Sequence, residues 1–549
     1  MSESQRGSVV GWVVTALLAG VAGVTGSYAL AGYTESFVAA PVTSFVTQNA
    51  PGALLQFAIG PLTTIGNQVG IEHLGQQANL VLAIGLGVVL FACLVLAALA
   101  TGRRYGNRFV PVGLAGVLVW LAAAVLTGAP VTALGAGLGS AVVVGLTALA
   151  GSAGGTDEPV SGGRRSVLGS VAGVFGVGVL GYLLGSRGGE SASEAASQVE
   201  IGNESGSSGG NVSDGSAGGP NGTAGSDDGG TNGSEGSAAS GGNGGPSVGE
   251  MLSRAESSSL GISGLEGLVS GDDFYQVDIS NINPDVNADE WSLSVTGAVE
   301  NERTFTYDDI TGMASENRFN TLRCVSDQLN GKSMDNAVWT GVPMQRVLEE
   351  AGLQGEFVMA RAADDYYEEF PVKALETGFL AYGMDGEVLP QKHGYPVRAL
   401  IPGHWGEINV KWLTELEVLD KPAKGFWEKK GWHGTGPANT VAKLHATNRF
   451  DDGRIQVGGH AYAGTRGIEK VEVSTDGGSS WTDAKLSAVL TPNLAGDVWR
   501  QWEHTYDSPG GSHDVVVRAT DGTGTLQPKK NQQPFPSGAT GWVSKTIDG

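Results

Sequence analysis

Hydrophobic positions along this chain follow four successive patterns, and each predicts a different kind of structure. Long apolar runs with almost no charge occupy about 8–31, 79–101, 109–128, 129–150 and 166–185. A bilayer core of ~30 Å takes about 20 helical residues to cross, so these runs predict about five membrane helices within a domain 1–185. Gly128-Ala129-Pro130 sets the break between the third and fourth. The stretch 32–78 carries only shorter apolar segments and reads as a loop at the membrane surface or re-entering it. From 186 to 262 Gly, Ser, Asn and Asp dominate, which cannot bury a core and predicts a disordered linker. Residues 263–435 then alternate short strand-like runs, such as 291–295, with helix-like ones, such as 343–351, and predict a mixed α/β domain. Residues 436–549 show period-two alternation at 455–473 and 514–519, with turns at Asp476-Gly477-Gly478 and Asp521-Gly522, and predict a small β-sandwich.

Basic residues orient the membrane part. Arg6, the group Arg103, Arg104 and Arg108, and the pair Arg164-Arg165 all fall on one side of a five-helix arrangement. Positive charge marks the cytoplasmic side, so the N-terminus is expected inside and everything after 186 outside. Arg164-Arg165 before an apolar run also resembles a twin-arginine export signal, an alternative with the same outcome for the C-terminal half. Sequons at Asn203, Asn211, Asn221 and Asn232 agree weakly with an outside location.

Charge and cysteine content narrow the chemistry. The formal net charge of −23 argues against a nucleic-acid partner and suits a surface kept soluble by acidic residues, as in halophiles. Of two cysteines, Cys93 lies in an apolar run and Cys324 stands alone in the globular half. Cys324 cannot form an intramolecular disulfide there. It is either a buried small hydrophobe or a soft thiolate ligand.

The flanking residues bear on that choice. Thr321-Leu322-Arg323-Cys324-Val325-Ser326 is followed by Trp339-Thr340-Gly341-Val342-Pro343. Farther on come His393-Gly394-Tyr395-Pro396-Val397-Arg398 with Pro402-Gly403, then Asn409-Val410-Lys411-Trp412-Leu413. Gly459-His460-Ala461-Tyr462, 471–478, Arg518-Ala519-Thr520-Asp521 and Gln527-Pro528 complete the pattern. In this order the blocks resemble the sulfite oxidase family of molybdopterin enzymes over about 270–549, in its membrane-anchored prokaryotic, haloarchaeal-like branch. The resemblance implies a molybdenum–pyranopterin cofactor with Cys324 as protein ligand, and an Ig-like C-terminal dimerisation domain. It implies cofactor contacts at Phe274, Tyr275, Asp364, His393, Arg398, Asn409, Val410 and Lys411. A guanidinium and an ammonium suit the pterin's terminal phosphate. Arg323 beside the cysteine is placed to help hold it deprotonated.

Departures from the family concern the substrate. Arginines that the family sets around its oxyanion correspond here to Leu329, Val277 and Ser537, and its active-site tyrosine to Trp432. Arg323, Lys332 and His433 are conceivable replacements. The expected function is oxygen-atom transfer on a small oxyanion, sulfite first. Electrons then pass one at a time to a separate carrier such as a copper protein or cytochrome, since no haem-binding histidine pair is evident. The alternatives are an S-oxide or oxyanion reductase on the same cofactor, and a binding module that has lost turnover.

Overall fold

The computed structural model describes residues 3–58, 62, 74–105, 107, 109–150, 245–279, 281–490 and 497–548. The expected span at 166–185, the Arg164-Arg165 pair, the sequons and the linker up to 244 lie outside the described residues.

The N-terminal part is a helical bundle. It comprises α1 (Glu3–Ala31), the short α2 (Ala39–Asn49) and α3 (Gly52–Phe57), α4 (Leu74–Tyr105), α5 (Val110–Thr127) and α6 (Leu134–Ala150). Three of these, over Val10–Ala31, Leu74–Gly102 and Val110–Thr127, are long and apolar enough to cross a membrane, and Leu134–Leu149 is a shorter apolar helix. The expected fourth span starts late, at Leu134 rather than 129, because Gly128 ends α5 with a φ of +66° and Pro130 follows in the turn. Small residues bring the helices together. A Cβ on Gly26 would overlap the Gly135 carbonyl, and one on Gly139 the Ala22 carbonyl, so α1 and α6 touch backbone to backbone.

Strands β1 (Ser292–Gly297) and β2 (Arg303–Thr306) open the next domain, followed by helix α8 (Tyr307–Gly312; α7 is introduced below) and strands β3 (Glu316–Arg323) and β4 (Met334–Pro343). Helix α9 (Met344–Ala351) precedes β5 (Phe357–Ala362), β6 (Tyr367–Pro371), β7 (Phe379–Met384), β8 (Glu387–Val388), β9 (Arg398–Leu400) and β10 (Leu413–Leu419). They form two sheets, ordered β2-β1-β10-β5-β6 and β3-β4-β7-β8, with β9 paired to β7. One core serves both: Leu293, Val358 and Leu416 of the first sheet pack with Val342, Leu380 and Ala399 of the second. Met344, Val347, Leu348 and Ala351 turn the buried face of α9 into it at the helical period.

The C-terminal part is two antiparallel sheets face to face. The first is β11 (Val441–Ala442), β13 (Arg454–Tyr462), β17 (Arg500–Asp507) and β16 (Lys485–Leu486), with β12 (Ala446–Arg449) on β13. The second is β15 (Thr482–Asp483), β14 (Ile468–Ser474), β18 (His513–Asp521) and β19 (Val543–Ile547). Alternate residues such as Val457, Val471, Val473, Val515 and Val517 fill the space between.

The expected linker ends earlier than 262. Helix α7 (Val248–Ser258) starts on a Ser247/Glu250 capping box and buries Met251 and Ala255. These join Phe319 and Val338 of the α/β domain and Tyr462 and Trp499 of the sandwich in one cluster. The composition hid the helix because only one face of so short an element is apolar.

The loop between α1 and α4 rests on the α/β domain. Tyr33 Oη donates to the Asn281 carbonyl (3.1 Å), Asn281 Nδ2 to the Gln76 carbonyl (3.0 Å) and Lys430 Nζ to the Gln48 carbonyl (3.0 Å). Ile282 is buried among the bundle's apolar side chains. A cavity of about 800 Å³ remains between α2 and α3 on one side and Arg361, Tyr367 and Phe426 on the other.

Candidate active site

Cys324 begins the loop that joins β3 to β4, whose end residues Arg323 and Met334 are paired. Its N–H donates to the Ser333 carbonyl (3.0 Å), and its carbonyl accepts from the Asp327 N–H (3.0 Å). The chain therefore turns sharply just after the thiol. The thiol is buried, with Sγ 3.1 Å from Ser326 Oγ. Burial raises its pKa, partly offset by Ser326, and the charges of Asp327 and Glu407 raise it further. Alone, this site keeps the sulfur protonated; a bound cationic metal would reverse that.

Asp327 fixes the loop from beneath. Its carboxylate takes Arg323 Nε at 3.0 Å, Lys443 Nζ at 2.7 Å and the Ser333 N–H at 3.2 Å, and the Asp327, Arg323 and Lys443 side chains are buried. Burial pushes the Asp327 carboxyl up, but the Lys443 and Arg323 charges outweigh it and hold it below the usual carboxylate value. Lys443 also donates to the Gly331 carbonyl (2.8 Å), and Asn330 exchanges hydrogen bonds with Leu444 (2.9 and 2.7 Å). The sandwich thus holds the cysteine loop. The expectation that Arg323 keeps the thiol deprotonated fails here: its guanidinium binds Asp327 and the Asn439 carbonyl (3.0 Å), and so does not serve the sulfur.

The second part of the site is built around Arg398. Gly394 has a φ of +113°, and a Cβ there would stand 3.0 Å from Lys411 and 3.1 Å from Arg398, so only glycine lets the two segments meet. Arg398, the first residue of β9, donates through Nη1 to the His393 carbonyl (2.9 Å) and through Nη2 to the Asn409 carbonyl (3.0 Å). Its guanidinium lies over Trp339 at 5.1 Å, and Nε is buried without a partner. Burial lowers its pKa to about 10. Asn409 is locked by its own amide, which accepts from the Ile401 N–H (2.6 Å) and donates to the Trp405 carbonyl (2.9 Å). Val410 beside it is buried, and its carbonyl accepts from the Ala399 N–H (2.8 Å).

Lys411 ion-pairs with Asp278, donates to the Lys392 carbonyl (3.1 Å) and lies 4.4 Å from the Trp412 ring. Asp364 belongs to the same charge group. Burial raises its carboxyl to about 6, Asp278 raises it too, and Lys411 works against both. His393 is held neutral, its pKa lowered to about 3 by burial and then by the Arg398 and Lys411 charges.

Phe274 and Tyr275 connect the two parts. Phe274 meets His393 and Trp339 edge-on at 5.3 and 5.6 Å. Tyr275 is fixed by its N–H to Asp335 Oδ2 (2.6 Å). Burial pushes its phenol well above the ordinary value, with the Cys324 charge adding to the rise and the Arg398 charge opposing it, so both groups act on the phenol. Gly406 leaves it room: a Cβ there would stand 2.9 Å from the Tyr275 hydroxyl and 3.3 Å from the Arg323 carbonyl.

The expected cofactor contacts therefore converge, and Cys324 joins them through Tyr275. Trp432 does not belong to that group. It packs with Trp427 and Phe535 at 6.4 and 5.2 Å, buried, with Nε1 lacking a partner. Leu329 packs against the two apolar clusters of the sandwich side, Val277 is exposed, and the Ser537 carbonyl accepts from Asn439 Nδ2 (3.3 Å). Lys332 and His433 are exposed. Sequence reasoning did not single out Asp278, Asp335 or Lys443. Asp327 was visible four positions after Arg323, but nothing in the sequence tied Lys443 to it.

Comparisons with known proteins agree with this architecture. Residues 280–427 match the family described as oxidoreductase molybdopterin binding domain, and residues 437–535 the family described as Mo-co oxidoreductase dimerisation domain. Sulfite oxidase of Arabidopsis thaliana is 26% identical over 302 residues, covering 44% of this chain and 77% of that protein. The mitochondrial sulfite oxidase of Drosophila melanogaster is 26% identical over 304 residues, 45% of this chain and 53% of that protein. The chain belongs to the sulfite oxidase family of molybdenum oxidoreductases. The nitrate reductase [NADH] of Solanum lycopersicum is also similar, at 25% identity over 315 residues, 45% of this chain and 35% of that protein. This oxidoreductase spans about half the length of the animal relatives it matches.

A molybdopterin fits the residues present. A buried guanidinium with an orphaned N–H, a largely buried ammonium and a buried lone thiol form a donor set for an anionic, sulfur-rich group. These features also speak against the binding-module alternative.

Proposed function

We propose that this oxidoreductase is held in a membrane with its catalytic part outside the cell, and that it oxidises a small sulfur oxyanion, sulfite first, by oxygen-atom transfer. The observation that carries the reading is a buried lone thiol, Cys324, in the same domain as a buried guanidinium with an unpartnered N–H, Arg398, and the Lys411 ammonium, with Tyr275 influenced by the charges of both Cys324 and Arg398. Cys324 would hold the metal, and Arg398 and Lys411 the phosphate and pterin, with His393, Asn409 and Val410 shaping the wall. The molybdenum centre, when bound, supplies the two-electron oxygen-atom chemistry. The chain's own part is to orient that group and exclude water from it. Neutral His393 leaves the cationic charge to Arg398 and Lys411, where the phosphate would bind. Asp364 and Asp278 limit that charge. Electrons would leave to a separate one-electron carrier.

The membrane topology supports an outside location. The α/β domain rests on the loop between α1 and α4, at the opposite end of α4 from Arg103, Arg104 and Arg108. The dimerisation-domain match points to a homodimer through the sandwich.

A reductive direction is the second reading, favoured by the similarity to a nitrate reductase. Metal analysis and turnover of the full chain purified from membranes test both. About one molybdenum per chain and reduction of ferricyanide by sulfite are the expected results. Nitrate or S-oxide reduction without sulfite turnover would select the second reading, and a native protein without molybdenum would sink both.

A further inference from the structure

A second candidate ion site lies beside the molybdenum pocket. Glu368 of β6, Glu407 of the segment before Asn409, and Glu428 of the turn before Trp432 each place a carboxylate oxygen within 4.8 Å of the other two. Glu368 is 0% exposed and Glu407 8%. Acidic residues alone do not make a site, but the partners of these do not suffice for them. Glu368 receives only the Tyr366 hydroxyl (3.1 Å) and the Glu369 N–H (3.3 Å). Both oxygens of Glu407, a side chain more than nine-tenths buried, have no hydrogen-bond partner, and neither do both oxygens of Glu428. Lys429 and Lys430, next in the chain, turn away to the Tyr367 hydroxyl and the Gln48 carbonyl.

Glycines keep the space open. A Cβ on Gly425 would overlap the Glu368 carboxylate, and one on Gly434 the Glu407 carboxylate. Glu368 and Glu428 stand within hydrogen-bond reach of each other, which two ionised carboxylates reject, so either a proton or a cation lies between them. Burial, with the Glu428 charge, raises the Glu407 carboxyl to about 8, so protons on Glu368 and Glu407 are the alternative to an ion. A hard cation bonded at ~2.3–2.6 Å to oxygen can reach all three at once, and calcium accepts such irregular carboxylate sets whereas magnesium demands near-ideal octahedra.

We propose that Glu368, Glu407 and Glu428 bind a hard divalent cation, calcium by preference, in a buried site that ties β6, the segment preceding Asn409 and the turn bearing Trp427 together. The site is distinct from molybdenum ligation and goes beyond the proposed activity. The ion would brace the wall of the cofactor cradle, because Glu407 is two residues from Asn409 and its carbonyl accepts from the Tyr366 hydroxyl (2.8 Å).

The test uses the full chain in detergent, treated with EGTA and passed into calcium-free buffer. Terbium, a luminescent calcium substitute, is titrated in with excitation of tryptophan, since Trp427 and Trp432 flank the cluster. The expected result is one saturable emission site per chain, displaced by calcium, with a calcium-dependent rise in Tm of ~5 °C. Glu407→Gln and Glu428→Gln should each weaken terbium and calcium binding at least tenfold and abolish the calcium-dependent rise in Tm. Titrations identical in parent and variants would mean that surface carboxylates bind the ions, and would overturn the proposal. If the variants fail to fold, equilibrium dialysis of the parent decides: no calcium or manganese retained at micromolar free ion would show that the cluster holds protons only.

Discussion

His393, Arg398, Asn409 and Lys411 belong to a single stretch, within which Arg398 bonds the His393 and Asn409 carbonyls, Asn409 the Ile401 N–H and Trp405 carbonyl, and Lys411 the adjoining Lys392 carbonyl. The loop bearing Cys324 is held from a distance: Lys443 reaches the Gly331 carbonyl across 112 positions and a domain boundary. One half of the site is thus a local device that needs only its own domain's core. The other half exists only while two domains are docked. The cradle should survive loosening of the sandwich, and the cysteine loop should not.

The largest effect tests the point where the halves meet. Cys324→Ser should lose molybdenum and lower turnover by at least ~10³-fold, the scale for a residue acting as part of a unit; metal analysis beside sulfite turnover checks it. Next comes the interdomain clamp. Asp327→Asn leaves two buried cations without their anion, which costs ~3–5 kcal/mol, and calorimetry should show the sandwich and α/β domain melting separately. A single melt at the parent temperature would break the comparison. Arg398→Met removes two hydrogen bonds to backbone carbonyls, worth ~0.5–1.5 kcal/mol each and more with a charged donor. It should lower molybdenum content more than it lowers Tm, while leaving the two domains melting together.

Acid should act on both halves in the same direction. Burial first, then neighbouring cations, holds His393 to about 3 in the cradle, and burial holds His460 to about 3 in the sandwich. An unfolded histidine titrates near ~6.5, so below that value the unfolded chain binds more protons and stability falls as pH drops toward 3. Asp327 continues the trend lower down, since a depressed carboxyl contributes above its unfolded value of ~3.9 and loses its contribution on further acidification. Melting curves between pH 8 and 5 should show this slope, shallower in His460→Gln; an unchanged slope in that variant would remove His460 from the account. Smallest is Trp432→Tyr. The indole packs among aromatics apart from the cradle, so turnover should shift less than ~tenfold, the scale of about 1.4 kcal/mol.

Legibility in the sequence followed the same division. The 393–411 stretch was readable because its geometry is written in contiguous residues, with Gly394 as the hinge of a close approach. Three apolar helices long enough to cross a membrane were readable by length, while the fourth run forms a shorter helix that begins at Leu134 because of the turn at Gly128 and Pro130. Helix α7 was hidden by composition, since two buried residues suffice for it. Lys443 carries no local mark of its partner, and the charge that would have linked Arg323 to the sulfur is neutralised by Asp327. Long-range pairings leave no periodicity to read.

The clamp of Lys443 on Asp327 also bears on how such a chain could be assembled by recombination. The α/β part and the sandwich look like separable modules, yet a foreign sandwich grafted after residue 435 would have to bring a cation at the place of Lys443, or leave the buried Asp327 carboxylate with Arg323 as its one cationic partner. A recombined partner would thus have to match this domain at one ammonium group as well as over the shared apolar cluster and the bonds to Asn439 and Leu444.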